Sequence, residues 1–294
     1  MSALSRDGRG FYAWLGRAES AHAKQDRFLT KEITRVFLQH KERYGSPRLH
    51  RALVAAGWCV SRRRVAHLMR AAGLRAKAVR GYRAKVHIHQ LYARHPNRLR
   101  TTHVTGLNQV WVSDLTFLKV GSSWRYLAIV MDQYTRRILA WSLTRRRTAA
   151  VTSAVLVLAA ARRSAQGAIF HSDRGSEYMG AAFCATVARL GMQQSANVSG
   201  PRDNAHAESF FHSLKAELTR GTTFTSDRGL HTALTAYMRY YNTARLHSAL
   251  AYLSPLAFER RAAEHMSVNE SDARSQALFG CGFAAMVIVC WQLN

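Results

Sequence analysis

The pattern of apolar and polar positions divides the chain into stretches of different period. Residues 1–105 are helical in texture, and "SPRLHRALVAAGWCVSRRRVAHLMRAAGLRAK" resolves into two short helices. The first is predicted from about Pro47, a favoured first-turn residue, to Gly57, a C-terminal stop. Ser61 is placed to cap the second, which ends at Gly73. Val65, Leu68, Met69 and Ala72 form its apolar face and leave Arg62, Arg63, Arg64 and Arg70 to solvent or phosphate. Two short helices, a tight turn and a basic second helix suggest a helix-turn-helix over about 45–75, within a helical region 1–75. Many helical hairpins share that pattern. Residues 76–105 show no steady period and read as a basic linker.

Residues 106–221 alternate strand-like and helix-like runs. "QVWVSDLTFLKV" reads as a strand and "GSS" as a turn, with "WRYLAIVMD" and "RRILAWSL" as two more strands. Together they suggest an antiparallel meander. Then come a largely apolar helix, "TAAVTSAVLVLAAARRS", a short buried strand, "AIFHSD", and a helix, "MGAAFCATVARLG". A strand, "MQQSAN", a loop, "SGPRDN", and a helix, "AHAESFFHSLKAEL", complete the run. This order predicts an α/β fold with a sheet flanked by helices. Residues 222–265 read as helical, and 266–294 form an atypical tail.

Charge changes the picture more than composition does. The 294 residues are 48% hydrophobic, as a globular chain should be, but carry 43 Lys and Arg against 17 Asp and Glu, a formal +26. An excess of this size repels itself unless a polyanion neutralises it. No Lys-rich amphipathic helix stands out as a membrane anchor, and the bases are mostly Arg, whose planar fork suits phosphate. Nucleic acid is therefore the expected partner. Cys59, Cys184, Cys281 and Cys290 form no CxxC, so neither a zinc site nor a disulfide framework is indicated. Reduced thiols and an N-terminus without an apolar signal run predict a cytoplasmic protein.

The acids are few and oddly placed. From Arg43 to Ser113 there are 71 residues without a carboxylate, fifteen of them Lys or Arg, and then Asp114 stands inside the apolar strand "WVSDLT". Asp173 follows the fourth predicted strand in "FHSDRGSEY", and Glu208 lies on the helix after the loop. Strand ends and following loops of an α/β sheet converge on one edge, where ligands bind. A carboxylate in an apolar strand loses its charge unless a cation compensates it. For Asp114 alone, that cation is equally an Arg in a buried salt bridge or a metal ion. Asp173 also reads as a turn residue, and Glu208 as a surface acid near a positive helix end. Asp132 is expected to pair with Arg136 or Arg137, and Glu177 to face solvent. Ser176 and Tyr178 are open between phosphate contacts and, respectively, capping and core packing; His171 shares the strand face of Asp173.

The blocks "WVSDLT", "HSDRGSEY" and "DNAHAESFFHSLKAE" resemble the three catalytic blocks of DDE transposases. They resemble in particular the second reading-frame product of the insertion sequence three family, whose core is similar to retroviral integrase. "YGSPRLHRAL", "YLAIVMDQYTRRILAWSL" and "YYNTARLHSALAYLSPLAFE" extend the likeness over roughly residues 8–260. The resemblance implies a ribonuclease H-like core in which Asp114, Asp173 and Glu208 are catalytic and hold two Mg²⁺ or Mn²⁺ ions. It implies DNA 3′-end cleavage followed by direct strand transfer at the ends of an insertion sequence. Lys215 matches the family's basic residue seven positions after the catalytic Glu; that spacing puts it on one helix face with Glu208 and His212, aimed at terminal DNA. Partners implied are double-stranded DNA at the element's terminal inverted repeats and in the target, further copies of the chain, and a first-reading-frame product or a fusion to it.

The chain departs from the family in places. Asp173 and Glu208 are separated by 34 residues, one fewer than usual, with the gap assigned to the loop "SANVSGPRDNA". Glu177 stands where Gln is common, and no zinc-binding histidine–cysteine set precedes the core. The uncharged run "ALFGCGFAAMVIVCWQL" in the tail is shorter than the roughly 20 apolar residues of a membrane span, so a docked or poorly ordered extension is expected. Two other functions compete: a DNA-binding regulator or decayed transposase copy without catalysis, and a hydrolytic nuclease using the same metal chemistry.

Overall fold

The computed structural model describes residues 19–77, 95–197 and 204–264, in two compact units that divide between Ala78 and Val79. The tail 266–294 and the loop acid Asp203 lie outside the described residues, as does most of the expected linker.

The first unit contains three helices: α1 (Ala21–Gln39), α2 (Ser46–Ala55) and α3 (Arg62–Ala71). Ser20 Oγ accepts from Ala23 N, and Ser61 Oγ accepts from Arg64 N at 3.2 Å, so α1 and α3 start on side-chain caps. Gly57 and Gly73 leave α2 and α3 with φ of +88° and +69°, left-handed conformations that cost glycine little. Leu29, Ile33, Val36 and Phe37 of α1 are buried together with Leu49 and Leu53 of α2 and Val65, Leu68 and Met69 of α3. Ala72, expected on this apolar face, is exposed because the helix has already ended.

The second unit is built on a five-stranded sheet of order β3-β2-β1-β4-β5. β1 (Val110–Val120), β2 (Ser123–Asp132) and β3 (Ile138–Thr144) form the antiparallel meander, and β4 (Ile169–Ser172) and β5 (Gln193–Ala196) add in parallel. One face is covered by α4 (Ala149–Ala160) and α6 (Ala181–Arg189), whose Val155, Leu156, Phe183 and Val187 pack with Trp111, Val130 and Phe170. A four-residue helix, α5 (Ser176–Met179), joins β4 to α6. The other face is covered by α7 (Ala205–Leu214) and α8 (Asp227–Thr243): Phe210, Phe211, Leu214, Leu234 and Tyr237 pack with Val112, Leu118 and Ile129. Each such buried side chain contributes roughly 1.5–3 kcal/mol. This mixed sheet between helical layers is the ribonuclease H-like arrangement.

Three local expectations change. The helix begun by α7 does not run regularly to Leu218; it loosens into a π turn over Lys215–Thr219. The stretch 222–265 is interrupted between α8 and a helix over 255–264 by a 3₁₀ turn at Ser248–Leu250 and a bridge between His247 and Leu253. The end of the expected linker belongs to the sheet unit, where Pro96 O accepts from Ala196 N and Arg98 N donates to Ser195 Oγ along β5. None of the described helices is long and apolar enough to cross a membrane.

Candidate active site

The two central parallel strands set the position of the site. β1 pairs with β4 only through Val112, opposite His171, and Asp114 comes two residues later, where β1 runs on alone on that side. β4 ends at Ser172, so Asp173 leaves the sheet beside the same gap. Strands that part at their carboxyl ends open a crevice there. Glu208 arrives on the first turn of α7, whose start is fastened to β1 by Asn204: its Nδ2 donates to Ser113 O at 3.0 Å. Asn204 is buried and occupies the helix N-cap without making a cap hydrogen bond.

Electrostatics couples these acids. The half-buried Asp114 carboxyl is pushed up to about 8, first by burial, then by the Asp173 charge, with Glu208 adding to the rise. The Leu115 amide, donating to Asp114 Oδ1 at 2.7 Å, and the more distant Lys215 ammonium oppose the shift without cancelling it. Burial raises Glu208 as well. Among the described residues neither Asp114 nor Glu208 has a cationic side chain within 4 Å. Lys215, at the end of α7, is half-buried; burial lowers its pKa and Asp114 acts the other way. The four side chains singled out in the core therefore fall in one electrostatic neighbourhood.

This neighbourhood suits a divalent cation by charge and donor type: oxygen ligands only, mutually repelling, with positive charge in deficit. It is not a closed cage, since among the described residues no three His, Cys, Asp or Glu side chains converge tightly enough to grip one ion.

Nearby acids have other work. Glu177, expected in solvent, is buried and faces Arg147 with Nε 3.5 Å from its carboxylate. A Cβ on Gly175 would stand 2.6 Å from the Glu177 carboxylate, so this glycine makes room for that side chain. Asp132, expected to pair with Arg136 or Arg137, instead accepts from Thr135 N and Oγ1 within the β2–β3 turn and from Asn108 N just before β1; Arg137 goes to Glu259. Tyr178 is core, its hydroxyl 2.9 Å from Ser113 Oγ directly under Asp114. Buried His171 holds Ser195 Oγ through Nδ1 at 2.9 Å.

A feature without local signal in the sequence lies just past the candidate acids. Glu217, on the π turn nine residues after Glu208, is buried and takes hydrogen bonds from Arg245 Nε and Nη2 and from Tyr237 Oη. Arg245 Nη2 also reaches Ser213 Oγ of α7 at 3.0 Å. This clamp fixes the turn that carries Lys215 against α8.

The basic helix α3 belongs to the first unit. Arg62, Arg63 and Arg70 are exposed, Arg70 bending Nε back to Ala66 O at 3.3 Å. Arg64 departs from expectation: it is half-buried and bonded to Asp26 of α1 at 2.8 Å, so its charge is already spent within the unit.

Comparisons with known proteins place the chain in a family. Integrase core domain families match residues 105–200 and 208–262, and an HTH-like domain family matches 24–82. The chain is 35% identical over 262 residues to the transposase InsF for insertion sequence IS3A of Escherichia coli K12, covering 86% of this chain and 90% of that one. It is 34% identical over 250 residues to the transposase for insertion sequence element IS904 of Lactococcus lactis, covering 83% and 98%. Among solved structures, the catalytic core domain of HTLV-2 integrase in complex with magnesium is similar at TM-score 0.41 and 15% identity, over 48% of this chain and 91% of that one.

Proposed function

The chain belongs to the transposases of the insertion sequence IS3 family, polynucleotidyl transferases of DNA transposition, and from that premise we propose that Asp114, Asp173 and Glu208 carry its chemistry. The observation that supports this reading is the strain on Asp114: burial, then the charges of Asp173 and Glu208, raise it to about 8, and among the described residues neither Asp114 nor Glu208 has a cationic side chain within 4 Å. Two Mg²⁺ or Mn²⁺ ions held by the three acids would activate the attacking oxygen and stabilise the leaving one.

The protein's own groups then have defined tasks. Asp114 holds a proton on its carboxyl near neutral pH, which a cation bound there would displace. Asn204 and the Glu217–Arg245 clamp fix the two ends of α7, so Glu208 and Lys215 keep their distance from β1. Lys215 receives a phosphate of the terminal DNA beside the acids, and its partial burial strengthens that contact. Arg62, Arg63 and Arg70 lie on DNA phosphates through α3, whereas Arg64 serves Asp26. The substrates are duplexes ending in the element's terminal inverted repeats and a target DNA, bound by more than one copy of the chain, with a first-reading-frame product or a fusion to it as partner, in the bacterial cytoplasm.

The test is a labelled element-end duplex incubated with the protein and Mg²⁺ or Mn²⁺. Joined products that vanish in Asp114→Asn while DNA binding persists are expected. Cleavage without joining would favour a hydrolytic nuclease, and binding without either would favour a non-catalytic regulator.

A further inference from the structure

The β1–β2 hairpin carries two large rings on its open side. Phe117 and Trp124 are 55% and 51% exposed, yet they touch edge to face with centroids 5.1 Å apart. Single exposed apolar residues are ordinary, but a contacting aromatic pair left open on a strand hairpin buries little of its own surface. Each ring is also covered by a cation. Lys215 Nζ lies 4.9 Å from the Phe117 centroid and Lys119 Nζ 5.9 Å from that of Trp124. Lys215 is the same ammonium that acts on Asp114, so the aromatic pair borders the acid neighbourhood.

We propose that Phe117 and Trp124 form a stacking platform for an unpaired DNA base at the end of the element, with Lys119 and Lys215 on the phosphates flanking it. The inference rests on the functional reading above, because it needs a DNA end at the acids. Charge argues for this occupant. A second protein surface seated here would bury two ammonium groups and would have to bring carboxylates to meet them, whereas a nucleotide brings a flat π face and a phosphate together. Aromatic platforms flanked by bases accept any nucleobase, so the site would select an unstacked end more than a sequence. Its place on β1, three residues beyond Asp114, ties the unpaired base to the strand that carries the first acid. Terminal base pairs open at a cost that such a surface offsets, and an opened pair gives the acids access to the end of the strand.

The experiment uses the full chain with the inactivating change Asp114→Asn, which keeps DNA binding but stops cleavage, and end duplexes carrying 5-iododeoxyuridine either at the terminal position or ten pairs inside. After irradiation, the terminal probe should cross-link to Phe117 or Trp124 and the internal probe should not. Binding should favour an end with an unpaired last base over a fully paired one, by about tenfold. That preference should disappear in Phe117→Ala and Trp124→Ala and return in Trp124→Tyr, which guards against loss through misfolding. Binding with no cross-link at either ring, or with the preference intact in both alanine variants, would overturn the platform and leave the transposase reading standing. A Trp124→Ala protein that loses self-association while keeping its end preference would assign the rings to a contact between copies and overturn it as well. Failure of any end duplex to bind would sink the functional reading together with the platform.

Discussion

Two acids, Glu208 and Glu217, sit at opposite ends of one helical run, half-buried and buried, and the protein treats them in opposite ways. At the far end, Glu217 is enclosed by Arg245, with Tyr237 and Ser213 completing the bonds, and every charge has its counter-charge. At the near end, burial and the charges of Asp173 and Glu208 raise Asp114 to about 8, and Lys215 opposes the rise without an ion pair. Three other acids of the sheet unit follow the first pattern, Glu177 with Arg147, Glu259 with Arg137 and Arg163, and Asp227 with Arg125 and Arg145, while buried Asp132 is met by two amides and a hydroxyl. Burial of an acid therefore identifies nothing; burial without a partner marks the place where charge must come from outside.

The contrast breaks most visibly if the near-end acids are neutralised. Asp114→Asn and Glu208→Gln should each lower strand transfer on the order of a thousandfold while leaving the thermal midpoint unchanged or higher, measured by product formation and by melting. The far end should respond in the reverse sense. Arg245→Ala strands the Glu217 charge and should cost about 3–5 kcal/mol of stability, read by denaturant unfolding, whereas Arg245→Ala with Glu217→Leu should recover much of the loss.

The same contrast has a pH signature. The ordinary Asp114 value is 3.8 and the folded value is about 8, so the native state keeps a proton that the unfolded chain releases. Without divalent ions, stability should therefore be highest below pH 4 on this account and fall as pH rises toward 8. Other groups add their own slopes, so the diagnostic is the difference between the wild type and Asp114→Asn, which should lack this fall. The smallest effect belongs to the first unit: Arg62→Ala should lower the salt dependence of DNA binding by about one unit of slope. Arg64→Ala should instead loosen the helical unit by releasing Asp26.

The sequence made the near end legible because its signal is local. Asp114 interrupts an apolar strand after a long acid-free stretch, and Asp173 and Glu208 stand at a strand end and a helix start. The meander, the capped helix α3 and its stop at Gly73 were legible for the same reason, since caps, turns and alternation act within a few residues. What stayed hidden depends on long-range pairing. Nothing near Glu217 announces Arg245, which lies 28 residues on, and nothing near Glu177 announces Arg147 from the β3–α4 connection. Glu177 was misread because the loop "SDRGSEY" resembles an exposed turn, while α5 folds its side chain inward beneath Gly175. Arg64 was misread because α1, the helix that supplies Asp26, has no motif of its own. The aromatic pair Phe117–Trp124 was invisible as a pair until the hairpin register set Lys119 opposite Trp124 and Phe117 opposite Tyr126.

The central claim is that Asp114 and Glu208, which have no cationic side chain within 4 Å among the described residues, take a cation from solution. Titration of Mn²⁺ into the full chain at pH 6 and at pH 8, followed by calorimetry, tests it directly. The account predicts that affinity rises roughly tenfold per pH unit as the Asp114 proton is displaced, that proton release accompanies binding, and that Asp114→Asn abolishes both. Equal Mn²⁺ affinity at the two pH values, unchanged in Asp114→Asn, would contradict it.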